Sequence, residues 1–335
     1  MADELASWAR ARAAELLARA EAEAVAALRD ALIDAALGHG DRGVPARPPR
    51  RSATPPETPR AEGAPSGEGL WAYCVLRSGE PLPGDARGVD GAGALERVEA
   101  RGLAAVVSRV PLAEFGAEPL RENLNDLDWL ERVARGHESV LEAALAQSTI
   151  VPLRLCTIYE SEQSVRDMLE REHDSLRQAL DGLAGRQEWG VKLIADGDRL
   201  AEEARSRSPE LAALEDELGA RTGGGAYMLG RRLERHVREA VESLGAELAD
   251  EVHTELEAWA VDAVVLPPQN PELSGHEGRM LLNAAYLVEA ERVQGLRELV
   301  AELEERREGL GTRIELTGPW PPYNFLPDGR TAGLA

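Results

Sequence analysis

Lysine is almost missing from this 335-residue chain. It occurs once, as Lys192, and the remaining basic residues, which bring Lys and Arg together to 38, are all arginine. Asp and Glu number 60, giving a formal charge of −22. A surface of that sign excludes sequence-independent binding to nucleic acid, whose phosphates require a basic face, and docking on anionic lipid. Cysteine is nearly as scarce: Cys74 and Cys156 both sit in apolar, strand-like runs. A disulfide framework is therefore excluded, and both read as small buried side chains in a reducing compartment. No stretch approaches the roughly 18 uncharged apolar residues of a membrane span. With no apolar core of the signal-peptide kind at the N-terminus, the expected location is the cytoplasm.

Aromatic residues are few as well, with six Trp, five Tyr and two Phe. Three of them, Trp320, Tyr323 and Phe325, crowd into TGPWPPYNFLP near the C-terminus, among Pro319, Pro321 and Pro322. Proline fixes φ and cannot donate to a ladder, so this stretch reads as a stiff, extended strap.

What the chain has in quantity is Ala, Leu and Val, within a hydrophobic share of 43%. That suffices for aliphatic cores in about two domains. Residues 1–38 are Ala-rich and charged, without Gly or Pro before Gly38, which predicts an N-terminal helix. Residues 39–69 are rich in Pro, Gly, Ser and Arg with little to bury, which predicts a disordered linker. The body follows it and carries nearly all the acidity.

From Leu70 the pattern is α+β. LWAYCVL (70–76) reads as a strand, and ALERVEARGLAAVVSRV (94–110) as two strands turning at Arg101-Gly102. Leu127, Leu130, Ala134, His137, Leu141 and Ala144 mark an amphipathic helix over 126–147. IVPLRLCTIY (150–159) suits a central strand. Ser161 caps a second helix with its stripe at Val165, Met168, Leu169, Leu176 and Leu180. EWGVKLIAD (188–196) closes a first domain over 70–197, a modified ferredoxin-like sheet with its helices on one face. A second α+β domain spans 198–327. It opens with helical pieces around Pro209 and a helix of about 30 residues from Leu229. Strands at 260–266 and 279–288, a helix over 289–308 and the strand TRIELTG (312–318) follow. The strap leaves that last strand, and 328–335 is a tail.

Catalytic constellations are not found. His137-Glu138 begins like a zinc-protease motif, but position 141 is Leu, and His137 lies on an apolar stripe where a hydrogen-bonded structural histidine belongs. Gly223-Gly224-Gly225 lacks the Lys-Ser/Thr of a phosphate loop. Asp85 and Asp90 do not have calcium-loop spacing. No catalytic, cofactor-binding or metal residue is assigned, no cofactor is expected, and the chain does not read as an enzyme.

Five stretches taken together, VPLRLCTIY (151–159), EWGVKL (188–193), GGGAYMLGRR (223–232), LLNAAYLV (281–288) and ELTGPWPPYNF (315–325), resemble the gas vesicle protein F/L family. The resemblance covers about residues 70–326. It implies a two-domain α+β accessory protein of gas vesicle assembly, associated with the vesicle. Its implied partners are the small hydrophobic shell protein and other gas vesicle accessory proteins. Where the family runs Phe-Gly after Pro-Leu-Arg, this chain has Leu155-Cys156, and residues 1–69 have no counterpart in the pattern. Two other readings remain: a ligand-binding regulatory module on a ferredoxin-like fold, and an enzyme with an interdomain site. For the strap, Trp320, Pro321, Pro322, Tyr323 and Phe325 form a candidate interface with a partner or an interdomain clasp. Prolines around an aromatic at the close of a strand favour the clasp.

Overall fold

The computed structural model describes residues 67–326, apart from 83, 85, 223 and 268–277. The expected helix at 1–38, the expected linker up to residue 66 and the tail at 328–335 lie outside the described residues. Contacts divide the chain into two compact units, with the division falling near residues 176–177.

The first unit is built on β1 (Glu68–Arg77), β2 (Leu95–Ala100) and β3 (Leu103–Pro111). Gly69 to Leu76 are buried on both faces, which makes β1 the centre of the sheet. β3 pairs with it antiparallel from Glu68↔Pro111 to Arg77↔Leu103. The β2–β3 hairpin turns on Arg101 (φ 49°) and Gly102 (φ 81°), the two left-handed residues that a tight two-residue hairpin needs. Two short helices, α1 (Leu112–Phe115) and α2 (Ala117–Asn123), lead to α3 (Leu127–Leu145). The Asp126 side chain caps α3 by accepting from the backbone N–H groups of Asp128 and Trp129.

The stretch expected as a central strand over 150–159 is instead two edge fragments, β4 (Val151–Pro152) and β5 (Ile158–Tyr159), both beside β1. Pro152 has no N–H to give to a ladder. A turn then interrupts the run, with Thr157 donating from both N–H and Oγ1 to the Arg154 carbonyl, at 3.2 and 2.7 Å. The expected second helix is also divided. α4 (Glu162–Arg171), capped by Ser161 Oγ accepting from Ser164 N, ends at Glu172, and α5 (His173–Leu183) follows.

The second unit holds a four-stranded antiparallel sheet in the order β7-β8-β6-β9. Its strands are β6 (Arg186–Ala195), β7 (Asp262–Val265), β8 (Arg279–Glu289) and β9 (Thr312–Trp320). β6, read from sequence as the last strand of the first domain, is an inner strand here, paired with β8 on one side and β9 on the other. The helices are α6 (Gly197–Arg207), α7 (Pro209–Gly219), α8 (Gly224–Trp259) and α9 (Val293–Glu305). Alternation along β6 sends Trp189, Val191, Leu193 and Ala195 into one aliphatic core, shared with Leu248 and Val252 of α8 and Leu296 of α9. The fold is thus two α+β units, each with an antiparallel sheet.

Candidate functional site

The strap is the continuation of β9. Trp320 ends that strand opposite Glu188 of β6 and is 5% exposed. Its indole Nε1 donates to Thr317 Oγ1 at 3.1 Å, and Thr317 Oγ1 donates to the Gly190 carbonyl at 3.5 Å. A Cβ at Gly190 would meet Thr317 Oγ1 at 2.9 Å and Trp320 Nε1 at 3.4 Å. The glycine of EWGVKL is therefore what lets the indole lie against β6. Gly318 has φ 134°, and a Cβ there would stand 3.0 Å from the Glu188 carbonyl. Only glycine suits that position.

Pro321 and Pro322 are buried, and Tyr323 and Phe325 are half-buried in a short 3₁₀ turn. The turn is tied to β6 by Asn324. Its backbone N–H donates to Glu188 Oε2 at 3.1 Å, and its Nδ2 donates to Oε1 at 2.6 Å. Glu188 is 2% exposed, so these hydrogen bonds answer a carboxylate withdrawn from water. The structure brings all five strap residues together at the end of β9, and the contacts just given run to β6 of the same unit. Sequence reasoning missed Glu188 and Asn324. The signal was available, since both polar residues lie inside motifs that carried the family resemblance.

Glu188 begins a polar row on the face of β6 opposite its aliphatic core. Lys192, the chain's lone lysine, is next but one along that face after Gly190, buried between Asn283 of β8 and Glu315 of β9 in register. Asn283 donates from Nδ2 to the Pro267 carbonyl at 2.8 Å.

His137 lies in the first unit, fully enclosed. Trp71 Nε1 donates to its Nδ1 at 3.0 Å, its Nε2 lies 3.2 Å from the Leu153 carbonyl, and Tyr73 stacks on the ring. An acceptor Nδ1 assigns the proton to Nε2. Burial lowers its pKa to about 4, so the ring is neutral near pH 7. Such a ring is a structural bridge between β1, α3 and the β4 end. Asp90 is likewise spent on structure, its Oδ1 accepting from Ala92 N and Gly93 N at 3.0 and 2.8 Å. Gly224 and Gly225 begin α8, and Gly223 lies outside the described residues. Among the described residues no His, Cys, Asp and Glu cluster could hold a metal, and no helix is long and apolar enough to cross a membrane.

Cys74 and Cys156 are free thiols, each pushed up to about 12 by burial. Cys156 has φ 65°, the left-handed region that favours glycine. At pH 8 a thiol of that pKa holds only about 10⁻⁴ of its population as thiolate. Iodoacetamide should therefore modify native Cys74 at least a hundredfold more slowly than the same residue in urea. Equal rates by mass spectrometry would show that its β-strand opens.

The second unit is thus an antiparallel sheet braced on one face by helices, with its last strand strapped to β6 by the Glu188–Asn324 pair. Comparison with known proteins gives the family. The model of the family described as gas vesicle synthesis protein GvpL/GvpF matches residues 69–327, and the chain belongs to that family. Gas vesicle protein L of Streptomyces sp. is 40% identical over 258 residues, 76% of this chain and 91% of that one. Gas vesicle protein L1 of Halobacterium salinarum is 27% identical over 78% of this chain and 91% of its own. The crystal structure of GvpF from Anabaena sp. shares the fold, with a TM-score of 0.61, 21% identity and coverage of 78% of this chain and 98% of that one. That of Microcystis aeruginosa gives a TM-score of 0.54 at 19% identity.

Proposed function

We propose that this chain is an assembly or minor structural protein of gas vesicles, which binds the hydrophobic shell protein in the cytoplasm alongside other accessory proteins. The family match supports the gas vesicle role, because it runs through both described units. One observation favours shell-protein binding: β7 is an edge strand carrying Val265, 58% exposed, and follows directly on Val261, 41% exposed. A gas-enclosing wall needs subunits with an apolar face, and these are prone to strand pairing before they assemble. An exposed apolar edge on a strongly acidic body holds such a subunit by adding it to the sheet, while the charge keeps the complex dispersed. In this reading Trp320, Pro321, Pro322, Tyr323 and Phe325 act as a clasp that fixes the sheet, and they are not the partner's anchor. No catalytic step and no cofactor is needed.

Lysine on a strand edge blocks pairing, so the double variant Val261→Lys/Val265→Lys tests the reading. Both sites are exposed, and stability should change by less than about 1 kcal/mol. Capture of purified shell protein should fall at least tenfold. Unchanged capture by the stably folded variant would remove the edge from the proposal.

A further inference from the structure

Helix α8 is divided by charge along its length. Its first half, 224–241, carries Arg231, Arg232, Arg235 and Arg238 against Glu234 and Glu239. Its second half, 242–259, carries Glu242, Glu247, Asp250, Glu251, Glu255 and Glu257 and no Lys or Arg. The helix dipole is not the reason, since the first turn has no acidic residue and the last no basic one. Nor are the central charges used at home. Arg235, Glu247 and Asp250 are exposed and make no ion pair among the described residues, and Arg232 reaches only His236, at 3.5 Å. An arginine-rich segment is out of character for a chain of charge −22.

The solvent side of α8 forms one stripe, because exposed Met228, Arg232, Arg235, Glu239, Glu242, Asp250 and Glu257 follow one another at steps of three or four residues or sums of these. At 1.5 Å per residue the helix is about 54 Å long, ample for a side-by-side contact. Tyr227 and Met228, 70% and 69% exposed, stand at its N-terminal end.

We propose that two copies of this chain pair through α8, antiparallel and two-fold symmetric about the helix midpoint near Glu242. Antiparallel pairing lays the basic half of each helix on the acidic half of its mate. Arg232 and Arg235 then meet Asp250 and, at the flank of the stripe, Glu247, twice by symmetry, as an isologous contact requires. Glu242 faces its own mate across the axis, with Glu239 one turn away, which keeps the pair weak enough to be reversible. This pairing is independent of shell-protein capture, which the proposed function places on β7.

Sedimentation equilibrium of the full chain at about 0.15 M salt provides the test, since long-range repulsion between the acidic bodies is screened there within about 8 Å. The parent should show a monomer–dimer equilibrium. Arg232→Glu/Arg235→Glu should raise its Kd at least tenfold, and so should Glu247→Arg/Asp250→Arg. The second variant makes the whole chain less acidic, so general repulsion alone would tighten it, and only a specific contact weakens it. An equimolar mixture of the two variants should form a 1:1 dimer, because their charges are again complementary. A monomeric parent, a dimer indifferent to both reversals, or a mixture that does not pair would overturn the proposal. A monomeric parent whose arginine stripe instead captures an acidic gas vesicle protein would assign α8 to that partner.

Discussion

Trp320→Ala should lower the stability of the second unit by about 3–5 kcal/mol, the usual cost of removing a large buried aromatic. In a unit of this size that moves the melting temperature by on the order of 10 °C. The loss has several sources: the packed indole, its donation to Thr317, and the close approach to Gly190 that holds the end of β9 on β6. Shell-protein capture by the variant should fall only as far as the unfolded fraction explains. Differential scanning calorimetry and a capture assay at low temperature separate the two effects. A variant that melts like the parent and yet no longer captures the shell protein would make Trp320 a partner's anchor.

Acid should weaken the first unit through His137. In the unfolded chain this ring titrates at an ordinary value of 6.5, and in the folded unit burial holds it at about 4. Above the unfolded value both states are neutral and stability is fully present. As pH falls below it, the unfolded state takes up a proton that the folded state refuses until about 4. Stability is therefore lost across that window at about 1.4 kcal/mol per pH unit, roughly 2 kcal/mol by pH 5. Urea midpoints at pH 7.5 and 5.0 measure the slope. His137→Gln keeps an acceptor for Trp71 and a donor for Leu153 but has no titration here, so its slope should be shallower by about that amount. Parallel slopes would show that the ring is hydrated and free to protonate. Carboxylates titrate in both proteins and cancel in the difference.

Elements announced by local chemistry were legible in the sequence. Ser161 caps the helix at which it is expected, and Arg101-Gly102 makes the hairpin turn. The stripe of α3 is buried from Leu130 to Ala144, as its spacing implies. What could not be read was pairing between distant segments. EWGVKLIAD looks the same whichever sheet it joins, and its partners lie far along the chain, so it was assigned to its nearest neighbours. IVPLRLCTIY has the composition of a central strand, and only the placement of Pro152 and the Thr157 turn reduces it to two edge fragments. α1 and α2 are too short to show a period. At the strap the aromatic residues stood out, whereas Glu188 and Asn324 are ordinary polar residues until the fold places one carboxylate against one amide.

The position of β6 in the chain also sets the order of events at the ribosome. Its two neighbours in the sheet begin only at Arg279 and Thr312. At ordinary translation rates β6 emerges on the order of ten seconds before either one exists, while the strands of the first unit are already complete. During that interval a nascent strand carrying Trp189, Val191, Leu193 and Ile194 has both edges open, beside others like it on a polysome. The buried charges at Glu188 and Lys192 interrupt its apolar run and make it a poorer template for its neighbours. The carboxylate that fastens the finished strap thus also helps protect the unfinished chain.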